Sequence, residues 1–204
     1  VKRSELVRRL AMLEPFAAAE ASLEQVGTPP ELAAELLESA LVRGDVEGRT
    51  VLDLGCGTGI LAIGASLLNA AHVIGVEVDD AAVVVARRNA ERLWANRLEF
   101  RVRDVTGWTE PAETVVMNPP FGAQSAHADR PFWEAALASA TVAVYAFASR
   151  ESRTFIERRA VARRARIEET RPVDWRFPAT FPHHRKRAVE LAVDLWILRP
   201  GPPS

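Results

Sequence analysis

Val51-Leu52-Asp53-Leu54-Gly55-Cys56-Gly57-Thr58-Gly59-Ile60 is an apolar run that breaks into three glycines at alternate positions. The run reads as a buried strand, and residues 61–68 after it read as a helix. Strand, glycine turn and helix, in that order, open a nucleotide-binding α/β unit. Glycine permits the tight turn and removes the side chain where a ligand must approach backbone. Asp53, just before the first glycine, selects among ligands. A carboxylate there repels the pyrophosphate that a dinucleotide would bring to the helix N-terminus. It suits instead a ligand with a cationic amino-acid end.

Outward from this stretch the chain alternates. A second strand over 73–77 ends in Glu77, at the interval where a carboxylate accepts from both hydroxyls of a ribose. Asp79 and Asp80 are placed to cap a helix over 81–93. Residues 98–103 alternate apolar and polar as a half-buried strand does, and Asp104 follows. A fourth strand, 114–117, runs into Asn118-Pro119-Pro120-Phe121-Gly122. Then come a helix over 131–140, a strand over 141–147, a basic helix over 150–166, and two strands joined by a loop within 167–198. On the N-terminal side, Ser4 reads as the cap of a helix to Leu10, and Thr28 as the cap of a helix reaching Val42, with Pro29 and Pro30 in its first turn. The expectation is an α/β protein with a Rossmann-like, doubly wound, seven-stranded sheet and a terminal antiparallel hairpin. One domain over 1–199 is expected, followed by a frayed tail, 200–204.

Bulk properties narrow the partners. The 204 residues suffice for one α/β domain, and the net charge of −1 creates no global field toward nucleic acid, so any basic surface is local. Cys56 is the sole cysteine, which excludes an intrachain disulfide and a cysteine-based metal site, and no metal ligand set is expected. No apolar run has membrane-spanning length and the start does not read as a signal peptide, so a cytoplasmic protein is expected.

The stretch around Asp53 resembles motif I of class I S-adenosylmethionine-dependent methyltransferases, and Asn-Pro-Pro-Phe resembles the amino-methylating motif of several of them. The chemistry suits the residues. The amino nitrogen of adenine is a poor nucleophile because its lone pair is delocalised into the ring. An Asn118 carbonyl and the backbone carbonyl of Pro119 can each accept one of its N–H groups, and both bonds strengthen as positive charge develops. Pro119 and Pro120 stiffen the loop, and Phe121 can stack on an extruded base.

Three features make the resemblance narrower. Leu23-Glu24-Gln25-Val26-Gly27-Thr28 is similar to the Leu-Glu-Gln-Tyr-x-Thr segment of the methyltransferase-like family that makes N6-methyladenosine in small-subunit ribosomal RNA. Met117 to Gly122, with Asp129 and Phe132, matches that family's extended motif, and the stretch 177–194 resembles its C-terminal ending. The resemblance implies S-adenosyl-L-methionine as cofactor. Gln25 and Thr28 would close over its methionine end, from a lid within residues 1–48. Asp53, Gly55 and Gly57 would hold its amino-acid portion, Glu77 its ribose and Asp104 its adenine. Val26 and Phe181 depart from the family, which has tyrosine at both places.

An RNA substrate directs attention to His183 through Arg187, where His184, Arg185, Lys186 and Arg187 are candidate phosphate contacts. Arg158, Arg159, Arg163, Arg164 and Arg166 read as a solvated helix face. The resemblance also implies a small zinc-containing activator protein, pairing with an edge strand at 98–103. Two other readings stand beside the rRNA adenine methyltransferase: a protein N5-glutamine methyltransferase acting on a release factor, and a non-catalytic RNA-binding scaffold with this fold.

Overall fold

Thr50–Leu54 (β1) sits near the middle of a seven-stranded sheet, flanked by His72–Glu77 (β2) and Ala112–Met117 (β4). The structure, a computed structural model, describes residues 2–16, 25–122, 125–175 and 192–201. The strand order is β3-β2-β1-β4-β5-β7-β6, with β3 at Leu98–Val102, β5 at Ala140–Ser149, β6 at Arg166–Val173 and β7 at Val193–Arg199. Strands β1 to β5 run parallel, and β7 lies antiparallel between β5 and β6. This is the doubly wound sheet with a terminal hairpin that the alternation implied.

Alternation along each strand builds two cores. Val51, Val73 and Val116 face α1 (Arg3–Leu10), α2 (Pro30–Val42), α3 (Ile60–Leu67) and α4 (Asp80–Arg92), where Leu6, Leu10, Leu36, Leu37 and Ile63 are buried. Leu52, Leu54, Val115 and Met117 face α5 (Arg130–Ser139) and α6 (Arg153–Ala162), around Trp133 and Trp196 at a ring separation of 6.4 Å. By the period of two, Asp53 points to the α3 side.

The connection from β3 to β4 carries no helix, and Trp108 fills the space one would cover. It is 1% exposed, with Arg103 and Arg101 stacked over its ring at 4.9 and 5.7 Å.

Three local expectations are corrected. The N-cap of α1 is Lys2, not Ser4. That of α2 is Pro29, and the Thr28 hydroxyl makes a different bond, described below. The basic helix is shorter than 150–166: a 3-10 turn at Arg150–Ser152 leads into α6, which ends because Arg164 takes a left-handed conformation at φ 53. Gly201 lies against Arg164, and 202–204 fall outside the described residues.

Candidate active site

The pairing of Leu54 with Met117 sets the ends of β1 and β4 side by side, so the glycine turn and Asn118 leave the sheet as neighbours. The turn is stitched to β2: the Gly55 and Cys56 N–H groups donate to Val76 O at 2.8 and 3.0 Å. The Gly57 N–H donates to Glu77 Oε2 at 2.9 Å. Gly55, Gly57 and Gly59 all have positive φ, which a residue with a Cβ rarely adopts. Aromatic rings lie against two of them. A Cβ on Gly55 would stand 2.7 Å from the Phe132 ring, and one on Gly57 2.7 Å from that of Phe16.

Asp53 is 1% exposed. Its Oδ2 accepts from the Ala62 N–H at 2.9 Å, near the start of α3, while Oδ1 is buried and has no partner among the described residues. Burial pushes its pKa up to about 8, against the opposing pull of the Ala62 N–H and with a further push from Glu77. Burial likewise raises the Cys56 thiol, reinforced by Asp53 and Glu77, so Cys56 packs as a small neutral residue.

Glu77 is engaged by backbone. Besides Gly57, the N–H groups of Val78 and Asp79 donate to its Oε1 at 2.8 and 3.1 Å. Asp104 is exposed, and its Oδ1 accepts from the Thr106 N–H at 2.8 Å. That bond holds its carboxyl below the usual range.

Asn118 is the focus of the second motif. Its Nδ2 donates to Thr28 Oγ1 at 3.0 Å and to Val26 O at 3.4 Å. Its Oδ1 is buried with no partner among the described residues. Gln25 Nε2 donates to Asp79 Oδ2 at 2.6 Å, and the other Asp79 oxygen caps α4 at the Ala81 N–H. Pro119 is buried, Pro120 and Phe121 half-buried. Phe121 meets Trp175 edge-on at 5.3 Å, and Trp175 in turn meets Phe147 at 5.2 Å.

The site thus brings together Asp53, Gly55, Gly57 and Glu77 on one side and Thr28, Asn118 and Phe121 on the other. The candidate RNA contacts His184, Arg185, Lys186 and Arg187 lie outside the described residues. In the second basic region Arg159 and Arg163 both pair with Glu134, at 2.5 and 3.6 Å, and Arg166 with Glu168 at 3.2 Å.

The geometry fits the donor set expected for S-adenosyl-L-methionine. The buried Asp53 oxygen with no partner among the described residues matches an ammonium group, whose positive charge would draw the raised carboxyl back to its ionised form.

Comparison with known proteins agrees over nearly the full length. The rRNA N(6)-adenosine-methyltransferase METTL5 of Danio rerio is 30% identical over 200 residues, covering 95% of this chain and 97% of the relative. Mettl5 of Drosophila melanogaster is 32% identical over 203 residues, covering 96% and 95%. The chain belongs to the METTL5 family of rRNA N(6)-adenosine-methyltransferases. A solved structure from Pyrococcus horikoshii superposes with a TM-score of 0.89 at 36% identity, covering 98% of both chains. The family model for ribosomal protein L11 methyltransferase (PrmA) matches residues 30–118, from α2 through Asn118.

Three residues of this METTL5-family site were not legible in the sequence. Asn89, 0% exposed on α4, accepts from the Glu14 N–H at 2.8 Å and donates to Glu14 O and Thr58 O, both at 3.0 Å. It joins the segment after α1 to the glycine turn, and Phe16 follows from that segment onto Gly57. Trp175 backs Phe121 from the end of β6. The only sequence signal was the polar Asn89 on the apolar face of α4.

Proposed function

We propose that the chain transfers a methyl group from S-adenosyl-L-methionine to N6 of an adenosine in small-subunit ribosomal RNA. The observation that carries this reading is the buried, unpartnered Oδ1 of Asn118 beside the glycine turn. The full-length likeness to rRNA adenine methyltransferases supports the same conclusion. That likeness spans 95 to 97% of each chain, including the Asn118 loop and the C-terminal hairpin.

The residues divide the work. S-adenosyl-L-methionine supplies, when bound, a methyl group on a positively charged sulfur. Asp53 Oδ1 and the turn at Gly55 and Gly57 would hold its amino-acid end, Glu77 its ribose and Asp104 its adenine, with Gln25 closing from the N-terminal side. Asn118 Oδ1 accepts one hydrogen of the substrate's amino group and the Pro119 carbonyl the other. Both bonds localise the nitrogen lone pair and tighten as that nitrogen gains charge, so they favour the transition state over the ground state. Phe121, backed by Trp175, offers its ring to the extruded base.

RNA contact is assigned to His184, Arg185, Lys186 and Arg187. Support comes from the ends of the intervening segment. Trp175 touches Phe121, and Val193 pairs with Ser149 at the end of β5, the same end of the sheet as Asn118. A small zinc-containing activator is assigned to β3. That strand is a sheet edge, Val102 on it is 52% exposed, and nearby Trp94 is 85% exposed. The compartment proposed is the cytoplasm, in keeping with the free Cys56. Among the described residues no helix is long and apolar enough to cross a membrane.

The deciding experiment incubates the chain, with and without a candidate activator, with labelled S-adenosyl-L-methionine and protein-free small-subunit rRNA. Digested nucleosides are then identified by mass spectrometry. N6-methyladenosine is the expected product. No label in the rRNA, with label on the glutamine of a release factor supplied in a parallel reaction, would overturn the RNA assignment.

A further inference from the structure

A primary amide has two ends of nearly the same shape, and only its oxygen can accept a hydrogen from an amino group. The terminal torsion of asparagine is broad and roughly two-fold, so nothing within Asn118 itself chooses which end faces the substrate. The choice comes from the segment ahead of α2. Val26 O lies 3.4 Å from the amide, and a carbonyl only accepts, so the end facing it must be Nδ2. The Thr28 hydroxyl, 3.0 Å away, takes the second Nδ2 hydrogen. Both donors of the amide are thereby engaged, and Oδ1 is left pointing away from them, buried and open.

Thr28 is well suited to this. It is 8% exposed, and Pro29 and Pro30 follow it with φ held near the helical range. The hydroxyl is also not spent on α2, whose N-cap makes no side-chain bond. A threonine at this place has Asn118 as its partner across 90 residues of sequence.

We propose that Thr28 is a positioning residue for the methyl-transfer step: its hydroxyl, with the Val26 carbonyl, locks the Asn118 amide so that Oδ1 alone faces the substrate amino group. This deepens the reading of Asn118 as the amino acceptor and rests on it. The segment at Val26 to Thr28 then has a second task besides meeting the cofactor, because its contacts set the orientation of the reacting asparagine.

The test compares Thr28→Val, which keeps the shape and loses the hydroxyl, with Thr28→Ser, which keeps the hydroxyl. Each is measured in the full chain with S-adenosyl-L-methionine and protein-free small-subunit rRNA. At saturating cofactor Thr28→Val should lower kcat by about ten- to a hundredfold, the scale of a misplaced reacting group. At saturating cofactor any accompanying loss of S-adenosyl-L-methionine affinity does not enter kcat, and Thr28→Ser should recover most of the rate. In an Asn118→Ala background Thr28→Val should cost nothing more. A readout independent of turnover is the exchange rate of the Asn118 side-chain amide hydrogens by NMR. One of the two should exchange faster in Thr28→Val than in the wild-type chain.

A Thr28→Val chain with full kcat and weakened cofactor binding would make Thr28 a cofactor contact and overturn the proposal. So would an equal further loss in the Asn118→Ala background, or unchanged amide exchange. Full activity of Asn118→Ala alone would sink the underlying functional reading instead, whatever Thr28 does. Should valine not be accommodated, Thr28→Ala is read by the same three measures.

Discussion

Two of the buried aspartates, Asp45 and Asp53, lie at opposite ends of the sheet and are treated oppositely. Asp45, 3% exposed ahead of β1, accepts from the Tyr145 hydroxyl at 2.5 Å and from Arg199 Nη1 at 2.7 Å, both on Oδ2. Arg199 is shared with Glu168, and Glu168 with Arg43. Asp53, 1% exposed at the opposite end, has one N–H on Oδ2 and nothing on Oδ1 among the described residues. Two asparagine amides, buried Asn89 and half-buried Asn118, repeat the contrast. Asn89 has three bonds shared between its oxygen and nitrogen, whereas Asn118 leaves its oxygen open. A buried polar group with all its partners ties elements together. At Asp53 and Asn118 the open oxygens flank the adjoining ends of β1 and β4, where the proposed reading puts cofactor and substrate.

Asn118→Ala should break the contrast most sharply. Removing a single charge-stabilising contact costs about 10²–10³ in kcat, or roughly 3–4 kcal/mol in the transition state. Steady-state methyl transfer would show this, while calorimetric titration with S-adenosyl-L-methionine should give a nearly unchanged Kd. Asp45→Ala should do the reverse. Loss of a buried charge partner costs about 3 kcal/mol, at the low end because Glu168 still holds Arg199. Denaturant unfolding would register that loss, with cofactor affinity untouched. A drop in cofactor affinity on removing Asp45 would erase the distinction between the two ends.

What the sequence made legible follows from range. Asp53, Gly55, Gly57 and Glu77 lie within one strand–turn–helix–strand unit, so local pattern suffices to make them neighbours. Asn118 was legible because its loop directly follows a strand that pairs with β1. Thr28 was misjudged as a helix cap because its partner is 90 residues away. Asn89, whose partners lie 75 and 31 residues away, and Trp175, which meets Phe121 across the sheet end, had no local signature. Trp108 is buried in the helix-free connection between β3 and β4, and composition carries no sign of that.

Asn89→Ala sharpens the comparison from the satisfied side. It leaves the N–H and C=O of Glu14 and the C=O of Thr58 without their partner, at a cost of about 2 kcal/mol. The effect should appear both in denaturant unfolding and as weaker cofactor binding, because this amide holds the segment carrying Phe16 against Gly57. Loss of stability alone would confine Asn89 to the core.

Asp53→Asn gives the subtlest effect, and its sign depends on pH. The folded chain keeps a proton on Asp53 up to about pH 8, whereas the unfolded chain releases it near the ordinary carboxylate value of 3.8. Between those values the folded state binds the extra proton, so stability falls as pH rises, by at most about 1.4 kcal/mol per pH unit for one group. Asparagine does not titrate. It can turn its oxygen to the Ala62 N–H, and its nitrogen then takes the place of Oδ1. Unfolding measured from pH 5 to pH 8 should therefore show a flatter profile for the variant and a more stable ligand-free chain at the alkaline end. The same substitution puts donor hydrogens where an ammonium would sit, so S-adenosyl-L-methionine should bind more weakly at every pH. A variant with the wild-type slope would mean that Asp53 ionises freely in the fold, and the contrast with Asp45 would then rest on hydrogen bonds alone.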